Sequence, residues 1–199
     1  MMTKGVIVFL KNPEIGESKT RIASTAGPEK ALSIYKELLS ITHDIVDRVE
    51  AKRFVYYTHF INSSDQWENQ KFIKTIQTEG GLGKKMKVAF SEVLKKVEKA
   101  IIIGSDCPYI TPELINEGFD ALAQNDVVIG PTFDGGYYLL GLKKVVPEIF
   151  EQIEFSTENV FKDTVSILDR KGHSYKILRK LQDVDYYDDW KAYLDSLSS

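Results

Sequence analysis

Residues 100–103 read Ala-Ile-Ile-Ile, an apolar run with three β-branched side chains and no polar residue in alternation. Such a run is the signature of a strand buried on both faces, and strands of that kind belong to parallel sheets covered by helices. Gly104 and Pro108 end the run, and Asp106 stands in the break. Open α/β sheets bind ligands just past the carboxyl ends of their strands. Asp106 is therefore a candidate site residue, set against the plainer possibility that it caps a turn. Residues 5–10 (GVIVFL) form a second run of this type, too short to span a bilayer and followed by no small-residue cleavage site. They read as a first strand.

The rest of the chain alternates between the two periods. After the strand at 5–10 comes a polar loop, residues 11–21, and then a long amphipathic helix from Pro28 to Val49. Strands are expected at 53–58 and 71–77, with a short helix or turn at 62–69 between them. Met86, Ala89, Phe90, Val93, Leu94 and Val97 lie on one helical stripe, with lysines on the other face. Beyond residues 100–103, Thr111-Pro112 reads as an N-cap and first helical residue. Strands at 126–131 and 137–142 are joined by so short a link that they should be adjacent and antiparallel. A helix from Thr157 to Gly172, a strand at 175–178 and a C-terminal helix carrying Trp190 and Leu194 complete the pattern. The expected fold is a three-layer α/β/α sandwich with a mixed, mostly parallel central sheet.

A chain of 199 residues without repeat or linker is expected to form a single domain, 1–199. Its formal net charge of −3 gives no electrostatic case for nucleic acid or an anionic membrane as partner. Cys107 is the only cysteine, so no internal disulfide can form, and a reducing, cytoplasmic setting is expected. None of His43, His59 and His173 falls in a block with Cys107, which therefore reads as a buried, inert thiol rather than a nucleophile.

Four polar clusters fall at strand ends or turns. The 11–21 loop carries Lys11, Lys19 and Arg21 with Gly16 and Ser18, a set suited to an anion such as a phosphate; a solvated basic loop is the plainer alternative. It is not a Walker A loop, because Ser18 interrupts the Gly-Lys pair and no glycine lies five residues before Gly16. In the second cluster, Gln77 offers the paired donor and acceptor that read a base edge, and Gly80, Gly81 and Gly83 would let the backbone approach a ligand. The third, residues 130–138, joins Asp134 to Gly135, Gly136, Tyr137 and Tyr138, and its phenols suit recognition of sugar hydroxyls. The fourth is Asp183-Val184-Asp185; the D-x-D of haloacid-type phosphatases belongs on a first strand, so that comparison is set aside.

Taken in order, the blocks K-x-P-x-x-G-x-x-K-T-R from Lys11, Q-x-x-G-x-L-G from Gln77, I-G-S-D-C-P from Ile103, G-P-x-x-D-G-G-Y-Y from Gly130, F-S-T-E from Phe155 and D-V-D from Asp183 carry a resemblance. The set resembles the bacterial DUF2064 group of glycosyltransferase-A-like proteins, within the nucleotide-diphospho-sugar transferase superfamily. It is similar, more distantly, to the molybdopterin-guanylyltransferase and phospholactate-guanylyltransferase families. The resemblance implies a nucleotide bound through Mg²⁺ or Mn²⁺. It implies that Lys11, Lys19 and Arg21 form the nucleotide-binding loop, that Gln77, Gly80 and Gly83 contact the base, and that Asp106 and Asp185 hold the metal, with Asp183 in reserve. Asp106 and Asp134 are the candidate catalytic residues, Asp134 to bind the acceptor or act as a base. The chain departs from the group's pattern at Gly81, Lys85, Phe155 and Tyr186-Tyr187, where an acid, Arg, Trp and Thr-Pro are usual.

The resemblance and the polar clusters together imply a metal-dependent transferase, with glycosyl transfer from a nucleotide-diphospho-sugar to an unidentified acceptor ahead of nucleotidyl transfer with pyrophosphate release. A non-catalytic nucleotide-binding protein on the same fold is the alternative from another class.

Overall fold

The apolar runs become the middle of a seven-stranded sheet in the computed structural model, which describes residues 3–198. The elements are β1 (Lys4–Phe9), α1 (Thr20–Ala26), α2 (Pro28–Asp47), β2 (Lys52–Tyr57), β3 (Phe72–Ile76), α3 (Leu82–Val93) and β4 (Lys99–Ile103). They continue with α4 (Pro112–Ala121), β5 (Val127–Pro131), β6 (Tyr137–Leu142), α5 (Glu148–Glu151), α6 (Val160–Lys171), β7 (Tyr175–Ile177) and α7 (Tyr187–Leu197). The strand order is β3-β2-β1-β4-β6-β5-β7. Pairings from β3 through to β4, and β5 with β7, are parallel, while β6 runs antiparallel to both β4 and β5. The short 131–137 link does make β5 and β6 an antiparallel pair.

Each central strand sends alternate side chains to opposite faces, and both faces are covered. Val6, Val8, Ile101 and Ile103 pack into one core with Tyr35, Leu39 and Val46 of α2 and Leu114, Ile115 and Phe119 of α4. Ile7, Ala100 and Ile102 pack into another with α3, α5 and α6. A third, smaller core joins Ile22 of α1, Ile34 and Leu38 of α2, and Val184, Trp190 and Tyr193 at the C-terminus. This is the expected three-layer sandwich.

Three local features depart from the sequence pattern. The basic loop ends at Lys19, and α1 begins at Thr20, so Arg21 stands on a helix rather than a loop. The helix expected from Thr157 begins at Val160, because Thr157 Oγ1 donates to Glu154 O and accepts from Asn159 N–H, holding 157–159 in a turn that follows the left-handed Ser156 (φ 69°). The short helix α5 has too few residues for a visible period. Residues 62–69 form turns. The topology also fixes where a ligand can go. From β1 the chain passes to β2 on one side, and it reaches β4 on the other, so the carboxyl ends of β1 and β4 flank the point where strand order reverses.

Candidate active site

A cleft of about 630 Å³ opens at those strand ends. Of the residues singled out from sequence, Lys11, Lys19, Arg21, Gln77, Asp106 and Asp185 line it, while Gly80, Gly83 and Asp134 do not. Asp183 and Ser156 also face it. The only non-glycine residues among those described with positive φ are Lys19 (φ 53°) and Ser156, and both stand on the cleft, where stored backbone strain is most often found.

The acidic side is built locally. Val184, fully buried, packs into the small core of α1, α2 and α7, while Asp183 and Asp185 on either side of it line the cleft. Val184 N–H donates to the Asp106 carbonyl at 2.8 Å, tying this segment to the end of β4. Asp189, on the first turn of α7, accepts from the Asp185 and Tyr186 N–H groups at 3.1 and 2.7 Å and fixes the exit of the chain. Carboxylates of Asp134, Asp183 and Asp185 bring oxygens within 4.8 Å of one another. Burial, then the neighbouring Asp134 and Asp185 charges, push the Asp183 carboxyl up to about 7. Asp134 reaches this group because the β5–β6 turn is clamped at both ends. Phe133 N–H donates to Leu181 O at 3.2 Å, and Phe161 N–H donates to Gly135 O at 2.9 Å. Gly135 sits at φ 93°, and a Cβ there would collide with the Glu158 carbonyl oxygen, so no other residue fits the clamp.

The cations divide into two kinds. Lys19 and Arg21, expected to serve phosphates, are both held by carboxylates: Lys19 Nζ lies 2.7 Å from Asp106 Oδ1, and Arg21 Nη1 lies 2.6 Å from Asp185 Oδ2. Lys11 and Lys85, which also line the cleft, have no carboxylate partner among the described residues. A lysine in the first turn of a lysine-rich helix looks like solvated surface, so Lys85 is hard to pick out by sequence; its place in the Gln77 block is the available signal. Two further residues that sequence reasoning misses hold the floor. Tyr35 is buried, and its hydroxyl accepts from Lys11 N–H at 2.8 Å, donates to Lys11 O at 3.0 Å and approaches Ser105 Oγ at 3.3 Å. Asn12 is buried too, and its side chain bonds the backbone of His59 and Phe60. On sequence, Tyr35 is one more apolar position of a helix stripe.

Several expected roles take a different form. The Gln77 amide donates to the carbonyls of Leu10 and Tyr56, so its N–H groups serve the ends of β1 and β2 and only its oxygen is left for a base. Gly83 is buried against α5, where a Cβ would collide with the Phe150 carbonyl oxygen; its bareness serves helix packing, not ligand approach. Gly80 (φ 113°) bends the chain into α3. The phenols of Tyr137 and Tyr138 are turned inward. Tyr137 and Tyr138 line the cleft with their rings, but Tyr138 donates to Arg179 O at 3.0 Å and the Tyr137 hydroxyl is enclosed, so neither offers a sugar its hydroxyl. Cys107 is buried and donates weakly to Gln182 O, and burial pushes its thiol up to about 12, in line with an inert side chain.

Solved structures share this mixed α/β/α fold. A protein of Desulfovibrio desulfuricans G20, named a putative nucleotide-diphospho-sugar transferase, is 29% identical, with a TM-score of 0.84 over 94% of this chain and 84% of its own. Inositol-1-phosphate CTP transferase of T. maritima is 12% identical, with a TM-score of 0.63 over 95% and 92% of the two chains. Rv0371c of Mycobacterium tuberculosis H37Rv, crystallised in complex with manganese, is 13% identical, with a TM-score of 0.60 over 98% and 100%. The chain belongs to the DUF2064 family, described as uncharacterized proteins conserved in bacteria, whose family model matches residues 41–157. No functionally curated protein matches it. Among the described residues, no helix is long and apolar enough to cross a membrane.

Proposed function

We propose that this chain is a metal-assisted, nucleotide-dependent transferase that takes a nucleotide-diphospho-sugar as glycosyl donor. The observation that carries the reading is one cleft with unpaired lysines, Lys11 and Lys85, and a cluster of carboxylates, Asp134, Asp183 and Asp185, at its edge. Lysines of this kind bind diphosphate oxygens as point charges. Three carboxylates around one point repel each other unless a cation joins them, and Asp183 has no cationic partner among the described residues. Hard oxygen donors suit Mg²⁺ or Mn²⁺, so this cluster fits the metal that the fold family implies. When bound, the ion would take up charge on the diphosphate as the donor bond breaks.

The chain's own residues do the positioning. Tyr35 and Asn12 hold the loop that carries Lys11, and Gln77 braces the ends of β1 and β2 beneath the expected base site. Asp134 Oδ1 accepts from Thr132 Oγ1 and Gly136 N–H, which fixes its carboxylate in orientation. The donor class draws support from the name of the Desulfovibrio protein, and nucleotidyl transfer is a second reading favoured by the likeness to the CTP transferase. Turnover assays with nucleotide-sugars and nucleoside triphosphates, with and without Mn²⁺, separate them. Release of a nucleoside diphosphate supports glycosyl transfer, whereas pyrophosphate release reverses the order. Nucleotide binding with no turnover on any acceptor tested would make the protein a binding module on a transferase fold.

A further inference from the structure

The Lys19 side chain is only 6% exposed although it belongs to a loop whose other charged side chains are open to solvent. Its left-handed backbone (φ 53°, ψ 47°) turns the side chain back under the loop, a conformation that costs a non-glycine residue on the order of 1 kcal/mol. The ammonium then sits among oxygens. Asp106 Oδ1 lies at 2.7 Å, the Val184 carbonyl oxygen accepts from it at 2.6 Å, and Asp185 Oδ1 lies at 3.9 Å. Two carboxylates and a carbonyl are the hard donor set a divalent ion would use. An ion drawn to these three oxygens and the ammonium exclude one another, because both would fill the same space with like charge.

Resting on the metal reading above, we infer that Lys19 supplies the cation between Asp106 and Asp185, so that this site takes one divalent ion where two could otherwise bind. Asp106 is then a lysine-paired carboxylate, and the metal is left to Asp134, Asp183 and Asp185, of which Asp185 also bonds Arg21 Nη1 through Oδ2 at 2.6 Å. Lys19 is a positioning residue: it bonds Asp106, links the N-terminal loop to the D-V-D segment across the cleft, and limits the metal count. A built-in ammonium stays in place when metal is scarce, whereas a second ion would have to be recruited at each turnover.

The test is Mn²⁺ binding to the full chain without nucleotide, followed by calorimetry and by loss of the free-ion electron paramagnetic resonance signal. The wild type should take up one ion. Lys19→Met should take up two, and adding Asp106→Asn to it should return the count to one. In the wild-type background Asp106→Asn should change Mn²⁺ affinity less than threefold, while Asp183→Asn should weaken it tenfold or more. Lys19→Gln repeats the measurement should Lys19→Met fold poorly, folding being checked by thermal melting. One ion in both Lys19 variants with unchanged affinity refutes the inference and leaves the metal reading standing. A threefold or greater loss on Asp106→Asn in the wild type also refutes it alone. No Mn²⁺ uptake by any form refutes the metal reading and this inference together.

Discussion

Replacing Tyr35 with Phe removes one oxygen from beneath the cleft and leaves the buried ring in place, so no cavity opens. That oxygen makes two well-formed bonds to Lys11, at 2.8 and 3.0 Å, and one longer contact to Ser105 at 3.3 Å. A typical intramolecular hydrogen bond contributes about 1 kcal/mol net, and leaving a backbone N–H without a partner in a buried setting adds to the loss. The structure therefore predicts a destabilisation of about 2–3 kcal/mol. For a chain of this length each kcal/mol lowers the melting temperature by about 2–4 °C, so a fall of roughly 4–12 °C is expected. Urea unfolding at pH 7 measures it directly, as a shift of midpoint at constant slope. Because Lys11 is one of the two unpaired cleft lysines, nucleotide affinity should weaken as well, read by calorimetry below the melting range. A variant within about 0.5 kcal/mol of wild type, with unchanged nucleotide affinity, would show that the hydroxyl does not hold the loop.

Gly135→Ala should lose roughly 2–4 kcal/mol in urea unfolding, since both the left-handed backbone and the approach of Glu158 forbid a Cβ, and its Mn²⁺-dependent rise in melting temperature should vanish as Asp134 is displaced. Lys85→Ala should weaken nucleotide binding by a factor that shrinks as salt is raised, because screening acts on charge–phosphate attraction; a salt-independent loss would point to packing. Iodoacetamide should leave Cys107 unmodified in the folded protein at pH 8 and label it only in denaturant, as mass spectrometry would show, given its burial and a thiol pushed up to about 12. The Ser174 N–H and hydroxyl, bonded to Asp126, hold its carboxyl below the usual range. This contribution is present above the ordinary aspartate pKa and is lost as pH falls through the lower folded value. Because Asp126 is half exposed and screened by solvent, Asp126→Asn should cost only a few tenths of a kcal/mol at pH 7, falling toward zero in acid, measured by urea unfolding from pH 7 down to pH 3.

How much of the fold and site is legible in the sequence depends on how far apart the interacting groups lie. Continuous apolar runs at residues 5–10 and 100–103 determined two buried parallel strands, because a strand covered on both faces leaves no position for a polar residue. The short 131–137 link determined an antiparallel pair. These are local rules, acting over a few residues. Tertiary structure alone decided that Lys19 would be spent on Asp106, that Asp134 would join the D-V-D carboxylates, and that both phenols of Tyr137 and Tyr138 would turn inward. Each of those outcomes depends on elements distant in sequence: 41 residues separate Tyr138 from the Arg179 carbonyl it bonds, and 165 separate Lys19 from that of Val184. A lysine, an aspartate or a tyrosine offers the same hydrogen-bonding groups whatever its partner, so nothing in its own neighbourhood says which partner the folded chain will supply.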